Sequence, residues 1–565
     1  MPGLKSLRAR HGSVHDDVAL DPALIRLSMV VILGAMMSIL DTTIVNVAIE
    51  TLSHDFKSPL NTIQWVSTGY LLALSMVIPL SGWVVERFGA KRMWILSLVI
   101  FLAGSILSGA AWSASSLIVF RVIQGIGGGM ILPIGQSIMA QAAGPQRIGR
   151  VMSVLGVPML LAPILGPVIG GLIVTNVSWR WIFYVNVPIG LLAIFLATRV
   201  LPSARSDLKP KLDALGFVLL SPGLALIVYG LSQLGSSGST TSIAVPLVLG
   251  AVLVVAFVGH AGRKRSGRAA MRRPAPLIDV HLFKDRGFLA AALTSFGFGA
   301  ALFGALILLP LYYQVDRGES ALVAGLLMAP QGIGAALVMP TAGRLSDRLG
   351  PGRVVPFGLI VVVLGTLAYT TVGAHTSYVF LGFALFVRGI GFGFTMMPAV
   401  AAAYHTLDRT QVPRATATVN ILQRVGGSVG TALLAVILER QISSRFAGAA
   451  NSITTGAGSF SSTMRSDVAG PLATAFGHTF WWAAGMAVIA FIPSVFLSRR
   501  SATEIAAAAV AAAAAAPATA PPTATPEMQP AAAAPSGQDD DASSTRRHRQ
   551  PRTRRAGQAA PPRDT

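Results

Sequence analysis

One carboxylate, Asp41, lies deep inside an apolar run that begins near Leu27 and closes with SILDTTIVNVAIE, residues 38–50. One guanidinium, Arg121, lies inside a second apolar run and opens RVIQGIGGG, residues 121–129. If both runs cross a bilayer, each charge costs roughly 2.5–3.5 kcal/mol at a span centre unless it is paired. Asp41 falls about eight residues before the outer end of the first run and Arg121 about six residues into the fourth, which at ~1.5 Å per residue are depths of about 12 and about 9 Å. The depths are close enough for the two to meet. An acid that is tolerable when paired and also when protonated is a proton switch: taking up a proton releases Arg121 and changes how the two helices pack. The plainer alternative is a fixed ion pair that only locks them. Gln124, one turn beyond Arg121, is placed to bond the same site.

Other chemistry finds little support. The chain has no cysteine, so it has no thiolate and no disulfide framework. GIGGG superficially suggests a dinucleotide loop, but Met130 takes the last glycine position and no strand precedes it. There is no Walker A pattern and no catalytic constellation, so neither an enzyme nor a cofactor is expected, and ATP is not the evident energy source.

The elements that must hold these residues are membrane helices. The sequence is 53% hydrophobic and only 12% charged, with a mean hydropathy of +0.64. Fourteen apolar runs are near the ~20 residues needed to span a bilayer. They fall near 25–49, 62–84, 93–112, 116–140, 151–174, 180–200, 214–235, 243–260, 288–314, 321–343, 354–373, 378–403, 417–439 and 478–498. The formal charge of +21 does not point to nucleic acid, because the basic residues gather in the loops after even-numbered runs. That alternation places both termini in the cytoplasm of a cytoplasmic-membrane protein.

The parts are a tail over 1–24, a six-helix bundle over 25–200, two inserted helices over 214–260, and a loop over 261–287. A second six-helix bundle over 288–498 and an Ala/Pro-rich tail over 499–565 follow. The amphipathic PLIDVHLFKDRGF of the loop is expected along the membrane surface, and the tail is expected to be disordered.

A repeat ties the two bundles together. GWVVERFGAKR, residues 82–92, returns 261 residues later as GRLSDRLGPGR, residues 343–353, and RVIQGIGGG returns as RGIGFGF at 388–394. Parallel six-helix repeats around a central cavity are a transporter architecture.

With these motifs in hand, the chain resembles the fourteen-helix drug:proton antiporters of the major facilitator superfamily. LDTTIVNVAIE resembles the family's span-1 motif, with Glu50 where Pro is usual. GWVVERFGAKR resembles the span 2–3 loop motif, with Glu86 where Asp is usual. GVPMLLAPILGPVIGG, residues 156–171, resembles the span-5 antiporter motif, and WRWIFYVNVPIG and PLIDVHLFKDRGF are further likenesses.

The resemblance implies an all-α membrane protein with the major facilitator fold, two six-helix bundles plus two inserted helices. It implies a proton-coupled antiporter that works as a monomer and exports hydrophobic or amphipathic compounds. Asp41 and Arg121 would couple the proton. Gly82, Glu86, Arg87, Gly89, Lys91 and Arg92, with Asp347 and Arg348, would form a breakable cytoplasmic gate. Gly156, Pro163, Gly166, Pro167, Gly170 and Gly171 would make a close contact between the halves that limits leak.

Asn46, Gln124, Arg388 and Arg424 are candidates for the substrate cavity, with Trp65, Tyr70, Phe296, Phe303, Tyr312, Tyr313, Phe392 and Phe394 as candidate aromatic lining. Asp41 is the one evident carboxylate within a span, which favours neutral, zwitterionic or monocationic amphiphiles over dications. Two rival readings are a symporter or facilitator importing a small solute on the same fold, and a membrane sensor, which would need an output domain that is not visible.

Overall fold

The computed structural model describes residues 21–499 apart from 145–146, 203–209, 235–238, 264–273, 405–406, 409 and 446–461, together with residue 504. All of them belong to one unit, Met1–Ala511; the second, Ala512–Thr565, lies outside the described residues, as do both tail expectations beyond residue 504.

Among the described residues twelve helices are long and apolar enough to cross a membrane, and counting each of two bent pairs as one span brings the total to fourteen. Span 1 is Pro22–Val47, with Asp21 capping its first turn and Pro22 at its first position. Span 2 is Leu60–Val77 and Leu80–Phe88, bent by 55°. Pro79 stands at that break, where it removes a backbone donor. Spans 3 and 4 are Ala90–Gly109 and Ala114–Ala143, the latter opened by a Ser113/Ser116 capping box. Span 5 is Ile148–Asn176, bent beside Pro163, and span 6 is Trp181–Val200. Spans 7 and 8, Ala214–Leu234 and Thr240–Ala261, form a hairpin packed against spans 2 and 13. Span 9 runs Arg286–Asp316 and ends in a π-turn over Tyr312–Asp316. The remaining spans are 10 (Ala321–Leu349), 11 (Pro351–Thr371), 12 (Tyr378–Ala402), 13 (Val412–Ser443) and 14 (within Ser462–Ser494).

The repeat survives in backbone detail. Gly89 and Gly350, 261 residues apart, join spans 2 to 3 and 10 to 11 with nearly the same left-handed geometry, φ 88°, ψ 143° and φ 80°, ψ 148°. A side chain at either position would be strained. These turns share one end of the molecule with the starts of spans 5, 7, 9 and 13, here called the basic end.

Three expectations change. Helices continue past the apolar runs, so Asp347 and Arg414 are helical rather than in loops. Span 9 likewise extends to Asp316, a second buried carboxylate at 4% exposure, so Asp41 is not alone within a span. In the segment after span 8, Leu277, Ile278 and Leu282 are buried, so its apolar side packs on protein instead of lying on a membrane surface.

Candidate functional site

Asp41 is fully buried, and its carboxylate is satisfied from two other helices. Oδ2 accepts from Arg121 Nη1 at 2.5 Å, while Oδ1 accepts from Gln124 Nε2 at 2.8 Å and from Asn186 Nδ2 at 3.0 Å. The donors come from span 4 and span 6. Arg121 is held in turn by Gln124 Oε1 at 2.8 Å and the Val66 carbonyl at 3.3 Å, and its guanidinium lies 4.1 Å from the Tyr70 ring centroid. Asn186 is fixed by Ser105 Oγ at 3.1 Å. Close packing makes this possible: a Cβ on Gly104 would lie 2.6 Å from the Gln124 backbone. The proximity of Asp41 and Arg121 was legible from depth; Asn186 was not, although it stands in a quoted motif, as an amide inside an apolar run.

A cavity of about 580 Å³ lies between the halves. Its wall runs from Pro133 and Asn420, on the basic-end side of mid-span, to Val47, Gln314 and Ala324 at the opposite end. Ser38 and Thr42, which flank Asp41, are in the wall, whereas Asp41 is not. Tyr70 donates to the Ser38 carbonyl at 3.3 Å, so Tyr70, Ser38 and Gly128 form a single layer between the ion pair and the cavity.

Asn46 and Arg424 line the cavity as expected from sequence, but Gln124 and Arg388 do not. Gln124 turns to Asp41, and Arg388 sits behind the wall on Gln331 Oε1 at 3.0 Å and the Ala301 carbonyl at 3.4 Å, over Phe392. Of the candidate aromatics only Phe303 reaches the wall; Tyr70, Tyr312, Tyr313 and Phe392 are buried packing.

At the basic end the halves meet closely and by repeat symmetry. Glu86 at the end of span 2 accepts from Arg414 Nε at 2.7 Å and Nη2 at 2.6 Å, at the start of span 13. Its repeat mate Asp347, at the end of span 10, accepts from the backbone N–H of Gly149 at 2.8 Å and of Arg150 at 3.1 Å, at the start of span 5. A carboxylate on those orphan donors is a helix cap. Gly82 and Gly343 permit the approach: a Cβ would stand 3.2 Å from Arg414 Cα in the first case and 2.7 Å from Arg150 Cα in the second.

The local cations behave otherwise than expected. Arg87 and Arg92 make no hydrogen bond or ion pair among the described residues, Lys91 donates to the Thr198 carbonyl at 2.8 Å, and Arg348 is exposed. The cross-half partner Arg414 was missed, because in sequence it reads as one more loop cation.

The span-5 motif divides in the same way. Gly156 faces Met339 and Met397 of the other half, but Gly166 and Gly170 pack on Thr43 and Ile44 of span 1, and Gly171 has open space. Pro163 and Pro167 line the cavity. Only part of the motif therefore touches the opposite half, since a helix cannot turn all its faces to one neighbour.

Twelve helices in two repeated sets around a central cavity, with two more inserted between the sets, define a secondary-transporter architecture. The family model of the Major Facilitator Superfamily matches residues 31–431, and the chain belongs to that superfamily. Over 438 residues it is 40% identical to the multidrug resistance protein B homolog of Mycobacterium tuberculosis, covering 77% of this chain and 80% of that protein. It is 32% identical to the multidrug export protein EmrB of Haemophilus influenzae over 73% of this chain and 80% of that protein. The solved proton:xylose symporter XylE shares the fold, with a TM-score of 0.57 at 15% identity, covering 86% of this chain and 98% of that one. The protein is thus a multi-pass membrane transporter.

Proposed function

We propose that this chain is a proton-coupled antiporter that exports hydrophobic or amphipathic drugs and toxic compounds across the cytoplasmic membrane, with both termini inside. The observation that carries this reading is the buried Asp41–Arg121 pair one layer behind a drug-sized cavity. Protonation of Asp41 removes the charge opposite Arg121, and leaving one partner of a buried pair alone is worth about 3–5 kcal/mol. That is enough to bias the packing of spans 1 and 4, which carry the cavity-wall residues Ser38, Thr42 and Gly128.

The bundles 25–200 and 288–498 then rock about the cavity, and the cytoplasmic gate that opens is Glu86–Arg414 with Asp347 on span 5. Both sides of the cavity come from this one chain, which supports a monomer as the working unit. The relatives' drug-resistance names, with the span-5 motif, favour export over import.

The experiment is substrate flux in inverted membrane vesicles under an imposed pH gradient, across a panel of dyes and antibiotics. Uptake into the vesicles that collapses in Asp41→Asn supports the reading. Gradient-driven accumulation with full pH dependence in Asp41→Asn would falsify it.

A further inference from the structure

Among the described residues, the cavity wall carries a cation and no carboxylate. Arg424, on span 13, is the one ionisable side chain in the wall, and it makes no hydrogen bond or ion pair with any of the described residues. Behind the same wall Arg388 is 2% exposed, and its partners are an amide, a carbonyl and a ring, with no carboxylate among them. Gln331 carries its influence to the surface, since its Oε1 is the acceptor for Arg388 and its side chain lines the cavity. The acid that might have balanced them, Asp41, is turned away into Arg121, Gln124 and Asn186. The rest of the wall is mainly apolar, with amides at Asn46, Gln314, Asn420 and Gln423. An unneutralised guanidinium beside a dry surface wants a compact anion. A lipophilic cation placed there would meet repulsion and no counter-charge.

We propose that the cavity selects amphipathic organic anions, molecules with one carboxylate or phenolate on a large apolar body, and that Arg424 is the group that receives the charge. This rests on the drug-cavity reading above. It also departs from the sequence expectation of neutral, zwitterionic or monocationic amphiphiles, which rested on Asp41 being the one evident carboxylate within a span.

The test is equilibrium binding to the full chain in phosphatidylcholine nanodiscs at neutral pH, which needs no transport. Three probes share one body: pyrenebutyrate, its methyl ester and pyrenebutylammonium. A charge-assisted bond gives the carboxylate an affinity about tenfold or more above the ester, with the ammonium weakest. In Arg424→Gln the carboxylate-to-ester ratio falls toward one, and in Arg424→Lys much of it returns. A wild-type ratio near one, tightest binding of the ammonium, or a ratio untouched by Arg424→Gln overturns the proposal while leaving the cavity reading standing. Displacement of pyrenebutyrate by added phosphatidylglycerol overturns it in favour of a lipid occupant. Failure of all three probes to bind overturns both.

Discussion

Glu86 and Arg414 lie 328 residues apart and meet through two parallel hydrogen bonds at 2.7 and 2.6 Å, joining the end of span 2 to the start of span 13. This planar two-point contact is the geometry that arginine makes and lysine cannot. In its repeat counterpart the shorter Asp347 reaches the backbone N–H groups of Gly149 and Arg150 at the start of span 5 directly. The two locks therefore respond differently to substitution.

Arg414→Lys weakens only the Glu86 lock, and Asp347→Asn weakens only the cap on span 5. Both shift the resting population toward opening at the basic end, and the double variant shifts it further. Each charged hydrogen bond is worth about 1.5–3 kcal/mol, so either change alone moves the population by about tenfold or more. The native chain has no cysteine. Spin labels on single cysteines introduced at the two halves can report the distance distribution without background. Unchanged distances in the double variant would show that these contacts are bystanders.

Asn186→Ala tests the carboxylate site more gently than a change at Asp41. It removes one of the three hydrogen bonds that hold the carboxylate, a charged hydrogen bond worth about 1.5–3 kcal/mol, so gradient-driven flux is expected to fall by about tenfold. Asn186→Asp is a harsher change, since it places a second acid against the first. Flux under an imposed pH gradient in proteoliposomes checks both, and wild-type flux in Asn186→Ala would mean that Asn186 only packs.

What could be read from sequence followed from terms that act along the chain. Span number follows from apolar length and from the alternation of basic loops. The match of Gly89 to Gly350 follows from a 261-residue repeat, because the same turn demands the same residue. Asp41 and Arg121 could be matched because depth along a helix is arithmetic. The rest depends on which way a helix is rotated and which helix lies across from it. Gln124 and Arg388 were candidates for the cavity, yet both face neighbouring helices, Gln124 on the Asp41–Arg121 site that its spacing also allowed it to bond. Arg414 sits in the polar first turn of span 13 and Asp347 in the polar last turn of span 10, turns that hydropathy excludes from a span although the backbone hydrogen bonds continue.

Asn420 and Gln136 offer a check on the cavity floor. Asn420 Nδ2 donates to Gln136 Oε1 at 2.7 Å, linking span 13 to span 4 where the wall ends. Asn420→Ala leaves the buried Gln136 without that donor and is expected to weaken closure below the cavity, raising uncoupled proton leak. Asn420→Gln, which keeps the amide, restores part of the seal. Proton flux without added substrate in proteoliposomes reads this out, and wild-type leak in Asn420→Ala would remove the floor role.

The glycines at the basic end separate packing within a half from packing between halves. Gly343 has Arg150 Cα at 2.7 Å and the Gly149 carbonyl oxygen at 2.7 Å from an added Cβ, and these atoms belong to the opposite half. A methyl there forces the halves apart at a cost of about 1–3 kcal/mol, but it leaves each half's own helix contacts alone. Gly127→Ala drives the methyl into the Phe101 and Ser97 backbone, at 2.4–2.8 Å, inside one half. Gly171→Ala meets nothing within 4 Å. Gly343→Ala is thus expected to fold normally and favour opening at the basic end. Gly127→Ala is expected to lower thermal stability and expression, and Gly171→Ala to do neither. Thermal unfolding in detergent alongside the spin-label distances distinguishes the three. Loss of stability in Gly343→Ala with no change in distance would place that contact within the folding core rather than at a moving interface.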